Sequence, residues 1–290
     1  MRYTFTLFGF TFSFRFTRFT QFNLLSLLLL LFLSLIWIYP FFWVIGSAFK
    51  TQPEMFLAGV EFWPEELLWE NFERAWVEAN FDTYFINTVI YSVSATVIAV
   101  VLSSTTGYVL ARYEFPGKRI LFRVLLATLF IPIATIIIPQ FNLVRELGLL
   151  NSRLGVILAL AGGGGALYVL LFKGYFESIP EELFDSAKID GAGFLQTFWL
   201  VVPLARPIIA TVVIFQFLQT WNEFNIPLVF TLANPELRNL AVGMYAFQGE
   251  HTFDWPGFAA GTVISVVPVL LVFFIFQGYF VRGLQGAVKG

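Results

Sequence analysis

Leu24-Leu25-Ser26-Leu27-Leu28-Leu29-Leu30-Leu31-Phe32-Leu33-Ser34-Leu35-Ile36 lies inside a run, Phe19 to Phe49, that holds no charged side chain. A helix needs about 20 predominantly apolar residues to cross the hydrocarbon core of a bilayer, and this run exceeds that length. Four further charge-free windows follow: Thr83 to Ala111, Val124 to Val144, Leu154 to Phe172 and Trp255 to Val281. A sixth apolar segment, Pro207 to about Leu232, is interrupted only by Glu223. Such a carboxyl group is tolerated inside a span where it faces protein or water.

Composition agrees with the windows. Of 290 residues, 58% are hydrophobic and 12% charged, against roughly 25% charged in an ordinary soluble domain. A β-barrel would need alternating segments of about 10 residues, and only the N-terminus, Tyr3-Thr4-Phe5-Thr6 through Phe16-Thr17-Arg18-Phe19, alternates that way. The expected fold is therefore all-α, a polytopic membrane bundle of six transmembrane helices over about 22–49, 83–111, 120–140, 154–172, 207–232 and 258–281. Around them lie an N-terminal tail (1–21), an outer loop (50–82), a cytoplasmic loop (173–206) within a transmembrane domain of 83–281, and a C-terminal tail (282–290). The tail reads either as an interfacial strand or as an aromatic anchor dipping into the headgroups. The apolar stretch from Phe22 is too long for a typical signal-peptide core, so it is expected to stay as the first span.

Charge placement orients the bundle. With a cytoplasmic N-terminus and alternating spans, twelve of the 17 basic residues fall inside and five outside: Lys50, Arg74, Arg145, Arg153 and Arg238. The positive-inside rule favours that arrangement, with both termini cytoplasmic. Acidic residues gather in the first outer loop, among them Glu54, Glu65, Glu66, Glu70, Glu73 and Glu78, which reads as one or two solvated surface helices.

Several chemistries are excluded. There is no cysteine and His251 is the sole histidine, so thiolate catalysis, disulfides and multi-histidine metal sites are ruled out. His251 reads as a solvated loop residue that another protein could touch. A single carboxylate within the spans, Glu223, leaves no pair for an intramembrane protease-like enzyme. Gly162 to Gly165 lack the lysine of a phosphate-binding loop and are expected to serve close helix packing.

The cytoplasmic loop carries the functional signal: Ser178-Ile179-Pro180-Glu181-Glu182-Leu183-Phe184-Asp185-Ser186-Ala187-Lys188-Ile189-Asp190-Gly191-Ala192-Gly193. Ser178 is placed to cap a helix, Glu181 to complete a capping box, and Pro180 to sit in the first turn. The helix is expected to stop at Asp190-Gly191, where glycine takes the left-handed conformation. A second short helix, Phe194 to Val202, precedes Pro203. A helix, a bend of small residues and another helix thus face the cytoplasm, either as an ordinary interfacial pair or as a docking surface.

Asp185-Ser186-Ala187-x-x-x-Gly191 resembles the Glu-Ala-Ala-x-x-x-Gly coupling motif of type-1 ABC importer permeases, and Lys188-Ile189-Asp190-Gly191-Ala192 resembles its continuation. Asp185 stands for the usual glutamate, Ser186 for the first alanine, and Pro203 comes one residue early. Asn87-Thr88-Val89, Tyr108 through Lys118, Leu147-Gly148-Leu149-Leu150-Asn151-Ser152, Trp221-Asn222-Glu223-Phe224 and Val281 through Gly290 are similar to the carbohydrate-importer branch, in the subunit that resembles the second permease of maltose transporters. The resemblance implies a prokaryotic inner-membrane subunit that binds no cofactor itself. It implies an ATPase dimer holding ATP and Mg, a second permease forming a heterodimer, and an external solute-binding protein. It assigns Glu182, Asp185, Ser186, Ala187, Lys188, Asp190 and Gly191 to coupling.

Candidates for the solute path are Trp221, Asn222, Glu223, Asn225 and Tyr245. Amides, carboxylates and aromatic faces suit a disaccharide or oligosaccharide, while polar glue between helices is the competing use of Glu223. The alternative function is an ion-driven secondary transporter or channel subunit. It would place coupling charges or repeated halves near the midplane, and no such repeat is present. No feature suggests nucleic-acid binding.

Overall fold

In the computed structural model, the backbone is described for residues 2–7, 10–15, 21–57, 63–249 and 252–287, and side chains for 24–56, 63–132, 134–249 and 252–278. His251 and much of both tails lie outside those residues.

The N-terminal segment pairs as an antiparallel hairpin, β1 (Arg2–Leu7) with β2 (Phe10–Arg15), in the register Arg2 opposite Arg15 and Leu7 opposite Phe10. This corresponds to the strand alternative for the tail. Among the described residues the regular elements after it are helices, with one isolated bridge between Gln248 and Phe253. The leucine-rich run forms α1 (Gln21–Ser47), whose apolar window is wholly exposed and long enough to cross a membrane. An exposed face of that composition is at home only against lipid or another protein.

The outer loop carries α2 (Gln52–Leu57) and α3 (Glu70–Glu73), which runs on as one π-helical turn, Arg74–Glu78. Buried Asn71 ties this loop to the end of α1, its Nδ2 donating to Ala48 O and Lys50 O at 3.0 and 2.9 Å. Asp254 caps the start of the last helix by accepting from Gly257 N at 3.0 Å and pairs with Arg74 at 3.3 Å.

At the centre stands α4 (Phe81–Arg112), about 48 Å long at 1.5 Å per residue. Between Tyr91 and Tyr108 its buried face holds only small residues, among them Ala95, Ala99, Ser103, Ser104 and Gly107, which lets neighbouring backbones approach closely. A methyl group added at Gly107 would lie 2.6 Å from Phe172 Cβ, so glycine is required there. The helices that follow are α5 (Lys118–Thr128), α6 (Ile133–Glu146), α7 (Arg153–Ala161), α8 (Gly165–Glu177), α9 (Glu181–Ile189), α10 (Phe194–Val201), α11 (Arg206–Trp221), α12 (Asn225–Phe230), α13 (Leu240–Gly243) and α14 (Trp255–Ala287), and α7, α8, α11 and α13 pack directly on α4.

The windows predict six spans; among the described residues three helices are long and apolar enough to cross alone, in α1, α4 and α14, and two bent pairs, α7 with α8 and α10 with α11, bring the number to five at most. The expected span 120–140 divides into α5 and α6, because Pro132 is extended (φ −60°, ψ 129°) and its ring bars the preceding residue from helical conformation. The span expected at 154–172 bends by 51° between α7 and α8, at the glycine run. The one expected at 207–232 stops at Trp221 and restarts at Asn225. Hydropathy registers composition and is blind to these interruptions.

The buried residues described form three clusters, and the one that positions the segment between α8 and α11 joins Tyr108, Phe172 and Phe176 to Phe184, Phe198 and Val201. Aromatic edges hold it together, with Tyr108 5.5 Å from Phe176 and 5.2 Å from Phe198 between ring centroids.

Candidate functional site: the short helix pair and the broken fifth span

The last carbonyls of any helix lack partners within it. At the end of α8 two nearby carbonyls are met by an arginine from another helix: Arg112, in the last turn of α4, donates through Nη2 to both Phe176 O and Ile179 O. Its guanidinium carbon also lies 3.8 Å above the Phe184 ring of α9. One cation therefore fastens the central helix, the end of α8 and the start of α9.

Ser178 does not cap α9. It ends α8 instead, with its hydroxyl donating to Tyr175 O at 2.7 Å, and the residue preceding α9 is Pro180, which has no side-chain acceptor. The nearby orphan carbonyl drew the hydroxyl, and Pro180, extended at ψ 139°, leaves Ser178 outside the helix. Glu181 and Glu182 remain in the first turn, where the helix dipole favours them.

The end of α9 follows the expectation. Gly191 has φ +75°, Gly191 N donates to Lys188 O at 3.0 Å and Ala192 N to Ala187 O at 2.9 Å. Those two bonds are the Schellman pair that terminates a helix. The start of α10 is held by Gln196, whose Oε1 accepts from Gly193 N at 2.8 Å. From α10 the chain turns through 82° into α11, so the short helix lies nearly across the axis of the long one.

The pair presents two faces. Phe184 and Ala187 point into the bundle, and Ala187 is 4% exposed. That corrects its assignment to the coupling surface: a methyl group at this position seats α9 on the bundle and is out of reach of a partner. Glu182, Asp185, Ser186, Lys188, Asp190 and Gly191 are exposed. Asp185 Oδ1 accepts from Lys188 Nζ at 3.0 Å, and that bond with its charge raises the amine above its ordinary pKa. An exposed pair of this kind adds little stability. Ile189, passed over in the sequence, is 86% exposed beside them. An apolar tip ringed by charge was signalled by its place between Lys188 and Asp190, but not by any periodicity.

The solute-path candidates separate. Trp221 is 3% exposed, stacks on Phe217 at 5.3 Å and donates Nε1–H to Ser265 O at 3.0 Å. It is a core residue joining α11 to α14, so its place on a solute path is withdrawn. Trp221→Phe is expected to cost about 1 kcal/mol of stability, the worth of one hydrogen bond, and to leave the KM for uptake unchanged. Thermal unfolding and transport assays check the two parts.

Glu223 Oε1 accepts from Asn225 N at 2.9 Å and from Ile226 N at 3.3 Å, so the carboxylate caps the restart of its own segment. It is not the glue between helices weighed above. Asn222 and Asn225 are exposed at the same break, and Asn222 Nδ2 donates to Leu218 O at 2.8 Å. Tyr245, also exposed, reaches the break through Phe224, with ring centroids 5.4 Å apart. Asn239 joins the two stretches by donating to Glu223 O at 2.7 Å. On the far side Asn87 holds Glu236 O and Arg238 O at 2.6 and 2.9 Å, and Thr88 Oγ1 accepts from Leu240 N at 2.8 Å. The Asn87-Thr88 motif thus anchors the segment following the break. Among the described residues no cluster of acidic, histidine or cysteine side chains suits a metal ion.

The sequence pattern described as the binding-protein-dependent transport system inner membrane component matches residues 103–286. The chain belongs to that family. Its members are transport components of the inner membrane, not enzymes. A relative covering 88% of the chain and 84% of its own length is the diacetylchitobiose uptake system permease protein of Streptomyces coelicolor, 37% identical over 259 residues. The melibiose/raffinose/stachyose import permease protein of Bacillus subtilis is 31% identical over 254 residues, covering 87% of this chain and 91% of its own. A solved chain of a bacterial ABC transporter involved in the import of the acidic polysaccharide alginate shares the fold, with TM-score 0.78 and 23% identity over 91% of this chain and all of that one. For this inner-membrane component, the matched region contains both the helix pair and the broken fifth span.

Proposed function

We propose that this inner-membrane component is one permease subunit of an ATP-driven carbohydrate importer, and that α9 and α10 are where a cytoplasmic ATPase docks. The observation that carries the docking is the division of α9 into a buried face, Phe184 and Ala187, and an outward face of Asp185, Ser186, Lys188, Ile189 and Gly191. An exposed isoleucine among charges is a small anchor of the kind partner pockets take up. The named sugars of the relatives support a disaccharide or oligosaccharide as the solute.

ATP and Mg belong to the ATPase dimer, because this chain lacks a phosphate-binding loop. A second permease completes the path as a heterodimer, and a solute-binding protein delivers the sugar from outside. Both termini lie in the cytoplasm. Closure of the ATPases would draw the helix pairs together and rock the bundles as rigid bodies between two states.

Purification of the chain from its native membrane tests this. An ATPase and a second permease are expected to come with it, and saccharide uptake into vesicles to require ATP. Uptake that persists without any ATPase would instead favour the ion-driven transporter.

A further inference from the structure

The glycine run between α7 and α8 was expected to let helices pack closely. At Gly163 it does, since a side chain there would crowd Gln219 of α11; the flanking glycines are different. A side chain at Gly165 would meet nothing within 4 Å, and one at Gly162 only Ala159 O at 3.8 Å, so no neighbouring helix packs on either. Gly162 and Gly163 are exposed, inside a segment whose composition is that of a membrane span. Non-helical backbone at membrane depth is tolerated where it is buried in protein or lines a water-filled cavity. Here it is not buried in its own subunit.

Glutamines converge on this break from two other helices. Gln140 of α6 donates Nε2–H to Ala159 O at 2.8 Å, and Gln216 of α11, wholly buried, donates to Leu160 O at 3.0 Å. Those two add side-chain donors at the last turn of α7, where Leu160 O also accepts from Gly163 N at 3.2 Å. Gln219 is different. Its Nε2 would lie 2.9 Å from a Cβ at Gly163, and its Oε1 receives only a long bond, 3.4 Å, from the Tyr168 hydroxyl. Among the described residues its amide nitrogen has no acceptor, and it stays partly exposed. An amide costs free energy in an apolar span unless something accepts from it.

We infer that the Gly162–Gly163 break with Gln219 is this subunit's contact with the passing solute, the amide N–H of Gln219 donating to a hydroxyl oxygen of a saccharide. The ligand class rests on the carbohydrate reading above; the location does not. The absence of cysteine permits a direct test in the complete transporter, with ATPase, partner permease and binding protein. Gln219→Cys is expected to react with a membrane-impermeant thiol reagent in at least one nucleotide state, and more slowly in the presence of transported melibiose or diacetylchitobiose. Gln219→Leu is expected to raise the KM for that saccharide about tenfold, of the order of one hydrogen bond. Absence of labelling in every nucleotide state overturns the location, and so does an unchanged KM in Gln219→Leu. Labelling that no saccharide slows, in a wild-type transporter that takes up neither sugar, overturns the ligand class and with it the carbohydrate reading. If Gln219→Leu fails to assemble, the cysteine labelling still decides.

Discussion

Arg112→Ala is expected to abolish uptake while the subunit still inserts in the membrane. The guanidinium makes two charge-assisted bonds to the carbonyls of Phe176 and Ile179 and covers the Phe184 ring. Hydrogen bonds to a charged group contribute about 1.5–3 kcal/mol each, and a cation over an aromatic face about 0.5–2 kcal/mol. Their loss takes a charged donor from Phe176 O, which keeps only a long bond from Ile179 N at 3.4 Å, and from Ile179 O, and it frees α9 from the central helix. Several kcal/mol is enough to undock a nine-residue helix, so uptake should fall at least about a hundredfold, a factor of ten for each 1.4 kcal/mol. Arg112→Lys keeps the charge without the planar fork and should fall between. Uptake in vesicles, with ATP hydrolysis measured in parallel, checks the pair. Transport at the wild-type rate in Arg112→Ala would remove the arginine from the path by which α9 is held.

Gly191→Val is the second large effect. Gly191 sits at φ +75°, and a side chain there would meet nothing within 4 Å, so the cost is one of backbone alone in the isolated subunit. Non-glycine residues forced into such conformations cost of order 1–3 kcal/mol, most for β-branched ones. Valine should therefore unwind the Schellman end of α9 and swing Asp190 and Ile189 out of place. Asparagine tolerates the left-handed region and should retain more activity. The expected result is ATP hydrolysis without uptake in Gly191→Val, with normal membrane insertion. If asparagine fails as badly as valine, the glycine is needed for close approach of the partner, and the backbone account is wrong.

Much of this was legible in the sequence because it is local. The helix stop at Gly191 follows from glycine chemistry, and α10 begins at Phe194 as expected and ends one residue early. Composition alone called for a membrane bundle. What escaped has non-local causes. Arg112 reads as one more basic residue at the inner end of a span, and nothing near it points to Phe184, 72 positions away. Trp221 and Glu223 are two positions apart, yet one ends α11 in the core and the other lies in the break and caps the restart of the chain as α12. Ser178 had a competing carbonyl in the preceding helix. Gln140 and Gln219 pass unnoticed in windows defined by charge, and the breaks they serve interrupt spans whose hydropathy is continuous.

The most direct test of the docking face uses the cysteine-free background of this chain. Ser186 is exposed on α9 and Ala187 beside it is buried. In native membranes a thiol-to-amine crosslinker at Ser186→Cys is predicted to join the subunit to the ATPase, with a yield that changes on adding ATP, while Ala187→Cys gives no such product. A Ser186→Cys subunit that a small thiol reagent labels readily, but that crosslinks to no ATPase in any nucleotide state, would contradict the docking of an ATPase on this helix pair.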